Sequence, residues 1–423
     1  MTRIAVIGTG YVGLTTGACF AHLGHRVTCA DIDAHKVEQL SKGEVPILEA
    51  GLPELVEEGI AGGHLRFVAS NEEAVADAEV VYLCVPTPQA DDGSADLTYI
   101  EAAATSISPV LAPGTVVVNK STVPVGSTRV VERALGRSDI PVVSNPEFLR
   151  EGTAVHDFLH PDRVVIGADD QVAAAKVSAL FEKLQAPLIV TDAPTAETIK
   201  YAANAFLATK VSYANSIAAV CEAVGADVRD VVLGMGYDKR IGFEFLKPGP
   251  GYGGSCFPKD TRAMVHIARE AGYDFALLQG VIEVNQAQFD RMADKAEAMV
   301  GGSLDGVQVG AWGLTFKART DDLRDSPALE VIARLRERGA VVTAFDPAVH
   351  TPVDGISIVA DAYQAVEGAE LVVLLTEWDD FRWLDHARAA EVMATPRMLD
   401  ARNLLDPAAL RRVGFTYHGV GRA

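Results

Sequence analysis

The run Gly8-Thr9-Gly10-Tyr11-Val12-Gly13 constrains this chain more than any other segment. It follows the apolar stretch Arg3–Ile7, which reads as a buried parallel strand, and opens a helical stretch from Leu14 to Leu23. Gly24 stops that helix, and His25–Ala30 reads as a second strand ending at Asp31, 18 residues after Gly13. Glycines at this spacing, between a strand and a helix, are what a turn around a pyrophosphate needs. Gly8 permits the tight turn, Gly10 lets backbone approach the phosphates, and Gly13 lets helix and strand pack closely. The helix N-terminus offers N–H groups and the positive end of its dipole. Asp31 suits a ribose diol and repels a 2′-phosphate, so the expected cofactor is NAD rather than NADP.

Four further strands are expected at Val80–Val85, Val116–Lys120, Val142–Ser144 and Val164–Gly167, with helical or turn-like runs between them. The first ~190 residues therefore read as one α/β domain. The stretch Ala193–Ala226 reads as one long helix, with Thr195 as N-cap and Gly225 as stop. Helices are also expected at Thr261–Ala271 and Phe275–Met299, and Gly301-Gly302-Ser303 reads as a boundary. Beyond it the opening theme returns. Val307–Trp312 reads as a strand, Pro327–Arg338 as a helix and Ala340–Phe345 as a strand. The acid falls seven residues after the glycine in both Gly24–Asp31 and Gly339–Asp346. Here only Gly310 and Gly313 precede a long loop, which suits a mononucleotide better than a second dinucleotide. The expected fold is α/β: two Rossmann-like doubly wound domains joined by a long central helix and a small helical domain. The boundaries are 1–194 for the NAD-binding domain, 195–300 for the long helix and small helical domain, and 301–423 for the second Rossmann-like domain.

Bulk properties narrow the partners. Among 423 residues, 37 are basic and 57 acidic, a net charge of −20, which argues against nucleic acid or an anionic membrane. An anionic ligand would need a local cluster of Lys and Arg. No apolar run reaches the roughly 18 residues of a membrane span, and the N-terminus enters a strand without a signal-peptide pattern. Five cysteines are scattered without a C-x-x-C pair, which points to neither a disulfide framework nor zinc and suits a reducing cytoplasm.

Three constellations carry candidate chemistry. The first is Phe245-Leu246-Lys247-Pro248-Gly249-Pro250-Gly251-Tyr252-Gly253-Gly254-Ser255-Cys256-Phe257-Pro258-Lys259-Asp260. Its glycines allow close approach to a ligand, and Cys256 follows them just before a helix start. A helix N-terminus and nearby Lys259 would both favour a thiolate. Composition leaves nucleophile and inert structural thiol open, whereas Cys19, Cys29, Cys84 and Cys221 read as small hydrophobes. The second is Asn145–Gly152, where Glu147 and Glu151 lie four apart. Spacing alone favours a solvated helix start over a catalytic base. The third is Lys200-Tyr201-Ala202-Ala203-Asn204, which puts Lys200 and Asn204 on one helical face, suited to an oxyanion, although most helix lysines are exposed. Lys210 and Lys317 read similarly. His156 and His160 are i, i+4, but no third ligand is evident and no metal is expected.

These runs together resemble the UDP-glucose/GDP-mannose dehydrogenase family over nearly the whole chain. The resemblance rests on Gly8–Gly13, Val85-Pro86-Thr87-Pro88, Ser121-Thr122-Val123-Pro124-Val125-Gly126, Asn145–Gly152, Lys200–Asn204, Gly251–Asp260, Gly313-Leu314-Thr315-Phe316-Lys317 and Thr376-Glu377-Trp378. It implies oxidation of the C6 alcohol of UDP-glucose to a carboxylate with two NAD⁺. By that likeness Cys256 captures the aldehyde as a thiohemiacetal, later a thioester, and Lys200 and Asn204 stabilise the oxyanions. Asp260, with Thr122 and a water, assists proton removal. Glu147 is the choice for hydrolytic base and Glu151 the rival. Cofactor contacts are implied at Asp31, Lys36, Thr87, Thr122, Glu151, Lys259 and Arg324, beside the glycine turn with Tyr11 and Val12. Sugar-nucleotide contacts are implied at Glu147, Phe148, Leu149, Arg150, Glu151, Lys200, Asn204, Phe245, Leu246, Lys247, Pro248, Gly249, Gly253 and Lys317. In the family an arginine matching Arg240 reaches a neighbouring subunit's substrate and the long helix forms the dimer core, so a homodimer at least is implied. Two departures stand out: Asn215-Ser216 where the family usually has Asn-Glu, and Glu49-Ala50-Gly51 where it often has Glu-Pro-Gly.

Other readings compete. A GDP-mannose or UDP-N-acetylhexosamine dehydrogenase would share the cysteine and the fold. A two-electron 6-phosphogluconate or 3-hydroxyacid type would share the first domain and long helix but needs no nucleophilic cysteine. A non-catalytic sugar-nucleotide-binding protein would need no complete set of catalytic residue types.

Overall fold

The computed structural model describes residues 1–88 and 95–422. The chain divides into two units, Met1–Ala203 and Asn204–Ala423. In the first, the runs β1 (Arg3–Ile7), β2 (Arg26–Ala30), β3 (Leu65–Val68), β4 (Val80–Leu83), β5 (Val116–Asn119), β6 (Val142–Ser144), β7 (Val164–Gly167) and β8 (Leu188–Thr191) form one sheet. Its order is β3-β2-β1-β4-β5-β6-β7-β8. The pairs are parallel except β6 with β7, which meet antiparallel at Ser144 and Gly167. From Ile4 to Ile7 β1 is apolar because both of its faces are covered. Ile4 and Val6 enter one core with Phe20, while Ala5 and Ile7 enter the other with Val81 and Val117. Strands β3 and β8 are additions to the strands expected from the sequence. Both are edge strands without the continuous buried run of the inner strands: Arg66 interrupts β3, and Leu188–Val190 of β8 lie exposed.

The first helix runs Tyr11–His22 and ends in a Schellman turn, with Gly24 at φ +91°. Gly24 N donates to Ala21 O and His25 N to Phe20 O.

In the second unit β9 (Gln308–Trp312), β10 (Val341–Phe345), β11 (Ser357–Ile358), β12 (Leu371–Leu374), β13 (Arg397–Asp400) and β14 (Thr416–Gly419) form a parallel sheet. Its order, β11-β10-β9-β12-β13-β14, repeats that of the first six strands, as the paired Gly–Asp segments led one to expect. Each sheet reverses its winding beside its first strand, where open α/β sheets place ligands.

The long helix spans Ala193–Val224, beginning in the first unit and ending in the second. Its cap is Asp192 rather than Thr195, since the Asp192 carboxylate accepts from Thr195 N (2.8 Å) and Oγ1 (2.9 Å). Gly225, at φ +74°, ends it as expected. Helices also cover Phe257–Glu270, four residues earlier than read, and Ala276–Met299.

Candidate active site

In the glycine turn, a Cβ at Gly8 would lie 2.7 Å from Cys84 O, and one at Gly13 would strike Gly8 O. A Cβ at Gly10 would meet nothing within 4 Å, so open space lies over the turn at the N-cap of the first helix. That cradle fits a pyrophosphate. Asp31 stands at the end of β2, its side chain 14% exposed. Its Oδ2 accepts from Thr9 N (3.0 Å) and Thr9 Oγ1 (2.6 Å) and pairs with Lys36 Nζ at 3.3 Å. Burial pushes the Asp31 pKa up, but the Thr9 and Asp33 hydrogen bonds and the Lys36 ammonium outweigh it and hold the carboxyl below its usual value. Asp31 is thus an oriented carboxylate at neutral pH. Thr9, unremarked in the sequence, does the orienting.

Asp346, its counterpart in the second unit, is saturated. It accepts from Leu314 N (2.7 Å), Thr315 N and Oγ1 (both 3.1 Å), Trp378 Nε1 (3.1 Å) and Ala348 N (2.9 Å). At 1% exposure it has no face for a ribose. The difference predicts that Asp31→Ala weakens NAD about 10- to 100-fold, the value of roughly 1.5–3 kcal/mol of charge-assisted hydrogen bonding. Discrimination against NADP should relax as well. Unaltered NAD affinity in a binding titration contradicts the ribose assignment.

Also in the first unit, Lys200 is 4% exposed and Glu147 5%. Lys200 Nζ donates to Glu147 Oε1 at 2.8 Å, and Leu149 N donates to Glu147 Oε2 at 2.7 Å. The solvated helix start favoured by the Glu147–Glu151 spacing is therefore not what forms, nor is Lys200 an exposed helix lysine. Pro146 follows Asn145 in irregular backbone, and the next helix starts only at Ala154. Burial raises the Glu147 pKa, but the charge and hydrogen bond of Lys200, then Leu149 N and Lys120, more than offset it. Phe148 lies between cations, with the Arg163 guanidinium 3.5 Å from its ring centre and Lys200 Nζ 5.4 Å away. Thr87 Oγ1 donates to Thr122 O at 2.8 Å, joining two residues read as cofactor contacts. Glu49, beside the Ala50 departure, is buried, and its Oε2 accepts from Gly152 N (2.6 Å) and from Tyr11 Oη.

In the second unit Cys256 is the N-cap of the Phe257–Glu270 helix, its thiol half-buried, with Ser255 Oγ 3.6 Å from Sγ. Asp260, fully buried one turn on, accepts from Asn204 Nδ2 at 2.6 Å and pairs with Lys259 Nζ at 2.5 Å. The Lys259 ammonium, beside the thiol in sequence, is thus held by Asp260. Burial pushes the Cys19 and Cys84 thiols up to about 12 and raises Cys29 as well, which keeps them protonated.

The glycine loop is pinned by three buried amides that sequence reasoning did not single out as functional. Asn215 Oδ1 accepts from Gly249 N (2.8 Å), Gln288 Nε2 donates to Gly249 O (2.7 Å), and Asn285 Oδ1 accepts from Tyr252 N (2.8 Å). Ser216, the departure next to Asn215, bonds back to Ser212 O within its helix. Side chains cannot replace the hydrogens of this loop. A Cβ at Gly253 would strike Asp325 O, and one at Gly254 would lie 2.8 Å from the Phe316 ring. Phe245, Leu246, Lys247 and Pro248 precede it, with Phe245 at φ +62°. Lys317 Nζ lies 5.3 Å from the Phe316 ring centre. Arg240 and Arg324 project outward and pair with Asp238 and Asp322, at 89% and 64% side-chain exposure. His156 and His160 stack at 5.0 Å, and among the described residues no group of three or more His, Cys, Asp or Glu is placed to hold a metal.

Known proteins match the chain in three stretches. Residues 2–185 match the NAD binding domain of the UDP-glucose/GDP-mannose dehydrogenase family, residues 194–287 its central domain and residues 310–407 its UDP binding domain. A UDP-glucose 6-dehydrogenase of Bacillus subtilis is 44% identical over 432 residues, covering 100% of this chain and 94% of that protein. One from Rhizobium meliloti is 45% identical, covering 99% of each. Among solved structures, a UDP-glucose dehydrogenase from Pyrobaculum islandicum superposes with a TM-score of 0.91 at 38% identity, covering 100% of this chain and 98% of that one. A UDP-D-ManNAc dehydrogenase from Pyrococcus horikoshii gives 0.89 at 27% identity, covering 99% of both.

Proposed function

The chain belongs to the UDP-glucose/GDP-mannose dehydrogenase family, and from that premise we propose that it oxidises the C6 alcohol of UDP-glucose to the carboxylate of UDP-glucuronate. The observation that carries the reading is the half-buried Cys256 at a helix N-terminus, one turn before an Asp260 bonded to Asn204. A two-electron dehydrogenase has no use for that thiol. NAD⁺ supplies the hydride acceptor for both oxidations. The balance is RCH₂OH + 2 NAD⁺ + H₂O → RCOO⁻ + 2 NADH + 3 H⁺.

The side chains divide the remaining work. Asp260, with Thr122 and a water, takes the proton from O6. The Cys256 thiolate adds to the aldehyde carbon, so the half-oxidised sugar stays attached. Lys200 and Asn204 stabilise the oxyanion that this addition creates. The second oxidation leaves a thioester. Glu147 takes a proton from water, the new C–O bond forms at C6, and the C–S bond breaks to return the Cys256 thiolate. Its burial and its pairing with Lys200 favour Glu147 over Glu151 as this base.

We read three functional domains at 1–194, 195–300 and 301–423, a division supported by the three family matches. The saturated Asp346 suits a UDP group in the last of them better than a second NAD. Phe206, Tyr213, Val220 and Val224 on the long helix are each more than half exposed at spacings of seven, seven and four, an apolar seam suited to a homodimer. Arg240, outward-facing, would then serve the partner's substrate. Among the described residues no helix is long and apolar enough to cross a membrane. Free cysteines and a nucleotide-sugar substrate fit the cytoplasm.

The test is a count of NADH per sugar nucleotide across UDP-glucose, GDP-mannose and UDP-N-acetylhexosamines. Two NADH per UDP-glucose is expected. One per substrate supports a two-electron enzyme, none a binding protein, and a preference for another sugar reassigns the substrate.

A further inference from the structure

Lys120 follows β5 and is 4% exposed, yet none of the steps above uses it. Its Nζ donates to Asn145 Oδ1 at 3.0 Å, and no carboxylate pairs with it among the described residues. Asn145 Nδ2 in turn donates to Val165 O at 2.7 Å, so this amide is clamped between Lys120 and β7. Two residues later the same turn presents Glu147. Lys120, Asn145 and Glu147 line one cavity of about 130 Å³, walled in part by Phe158 and Phe181. Both rings have their centres 5.9 Å from Nζ. A buried ammonium without a counter-ion costs free energy that well-packed apolar atoms would not, so its presence calls for a use.

We propose that Lys120 is a positioning residue for thioester hydrolysis, fixing through Asn145 the turn that presents Glu147 and keeping Glu147 a carboxylate by its charge. The inference rests on the reading of Glu147 as the hydrolytic base. The aromatic walls keep the local dielectric low, which strengthens the field of the ammonium at Glu147. The groups acting on Lys120 are Cys84 beyond β4, Glu147 on the turn and Lys200 on the long helix. The cavity rim adds the Arg150–Asp157 pair, Arg163 with Asp162, and His156 with His160. Burial lowers the Lys120 pKa to about 8; the Glu147 charge opposes the fall and Lys200 reinforces it, while the protonated Cys84 thiol carries no charge, so Lys120 is still mostly charged at pH 7. In return Lys120 is among the groups that hold the Glu147 pKa down.

The experiment follows thioester hydrolysis across pH 4 to 9 in Lys120→Met and Lys120→Gln, reading the NADH burst and UDP-glucuronate release separately. Removing a nearby cation raises a carboxylate's pKa. The acid limb of hydrolysis should therefore move up by about one pH unit in both variants. The burst should persist, and Lys120→Met, which also loses the bond to Asn145, should hydrolyse about tenfold more slowly at pH 7. If Lys120→Met does not fold, Lys120→Gln carries the same shift. A purely structural role would slow hydrolysis equally at every pH. An unmoved acid limb, or a wild-type profile in Lys120→Gln, overturns the proposal. Glu147→Gln separates it from its premise. Wild-type hydrolysis in that variant removes Glu147 as base, whereas a stalled thioester beside wild-type Lys120 variants removes Lys120 alone.

Discussion

Cys256→Ser is expected to end net formation of UDP-glucuronate while leaving NAD affinity at its wild-type value. The expected loss in kcat is on the order of 10³-fold or more, the scale for removing a covalent nucleophile. A serine hydroxyl has a far higher pKa than a thiol, so the helix N-terminus that favours a thiolate does not produce an alkoxide. NAD binding is spared because the substitution leaves the glycine turn and the Asp31 carboxylate with its Thr9 and Lys36 partners untouched. Rates of product release and a separate NAD titration decide the matter. Unchanged turnover removes Cys256 from the mechanism, and lost NAD binding signals a folding defect instead.

Lys200→Ala should act twice. It removes the cation proposed to stabilise the oxyanions, worth about 10²- to 10³-fold in kcat. It also leaves the Glu147 carboxylate buried without its ion-pair partner, a loss of about 3–5 kcal/mol in stability. The pH dependence has a definite sign. In the wild type the folded Glu147 pKa lies below its unfolded value, so its stabilisation is present above the unfolded value and lost as pH falls through the folded one. Without Lys200, burial dominates and raises the folded pKa. Glu147 then costs stability at neutral pH and less as it protonates. The gap in Tm between variant and wild type should narrow from pH 7 toward pH 4. A gap independent of pH would show that the ion pair is not what Lys200 contributes to stability.

Most of the fold was legible because its signals are local. Arg3–Ile7, the glycine spacing, Asp31 and the parallel segment ending at Asp346 each declare themselves within a dozen residues. Edge strands β3 and β8 did not, because an edge strand is covered on few sides: Arg66 interrupts one and the other is largely exposed. The site was legible as residue types but not as states. The spacing of Glu147 and Glu151 suggested a wet helix start, whereas Lys200, 53 residues away, makes Glu147 a buried anion. The sequence placed Lys259 beside Cys256, and only the fold shows that its ammonium is bonded to Asp260. Thr9 sits inside the glycine motif without a role of its own there, and Asn285, Gln288 and Lys120 belong to none of the quoted motifs; their roles exist only through partners distant in the chain.

The amino-acid order alone determined which peptide segments turn, extend or coil, and which reactive groups the molecule owns, because backbone preference and side-chain chemistry are properties of neighbours along the chain. Tertiary structure alone decided which of those groups are charged, oriented or silenced. Asp31 and Asp346 occupy matching places at the ends of matching strands, yet Asp31 keeps an exposed face and Asp346 is closed off by five donors. A carboxylate's state depends on the dipoles and solvent around it, and those are assembled only when distant segments pack.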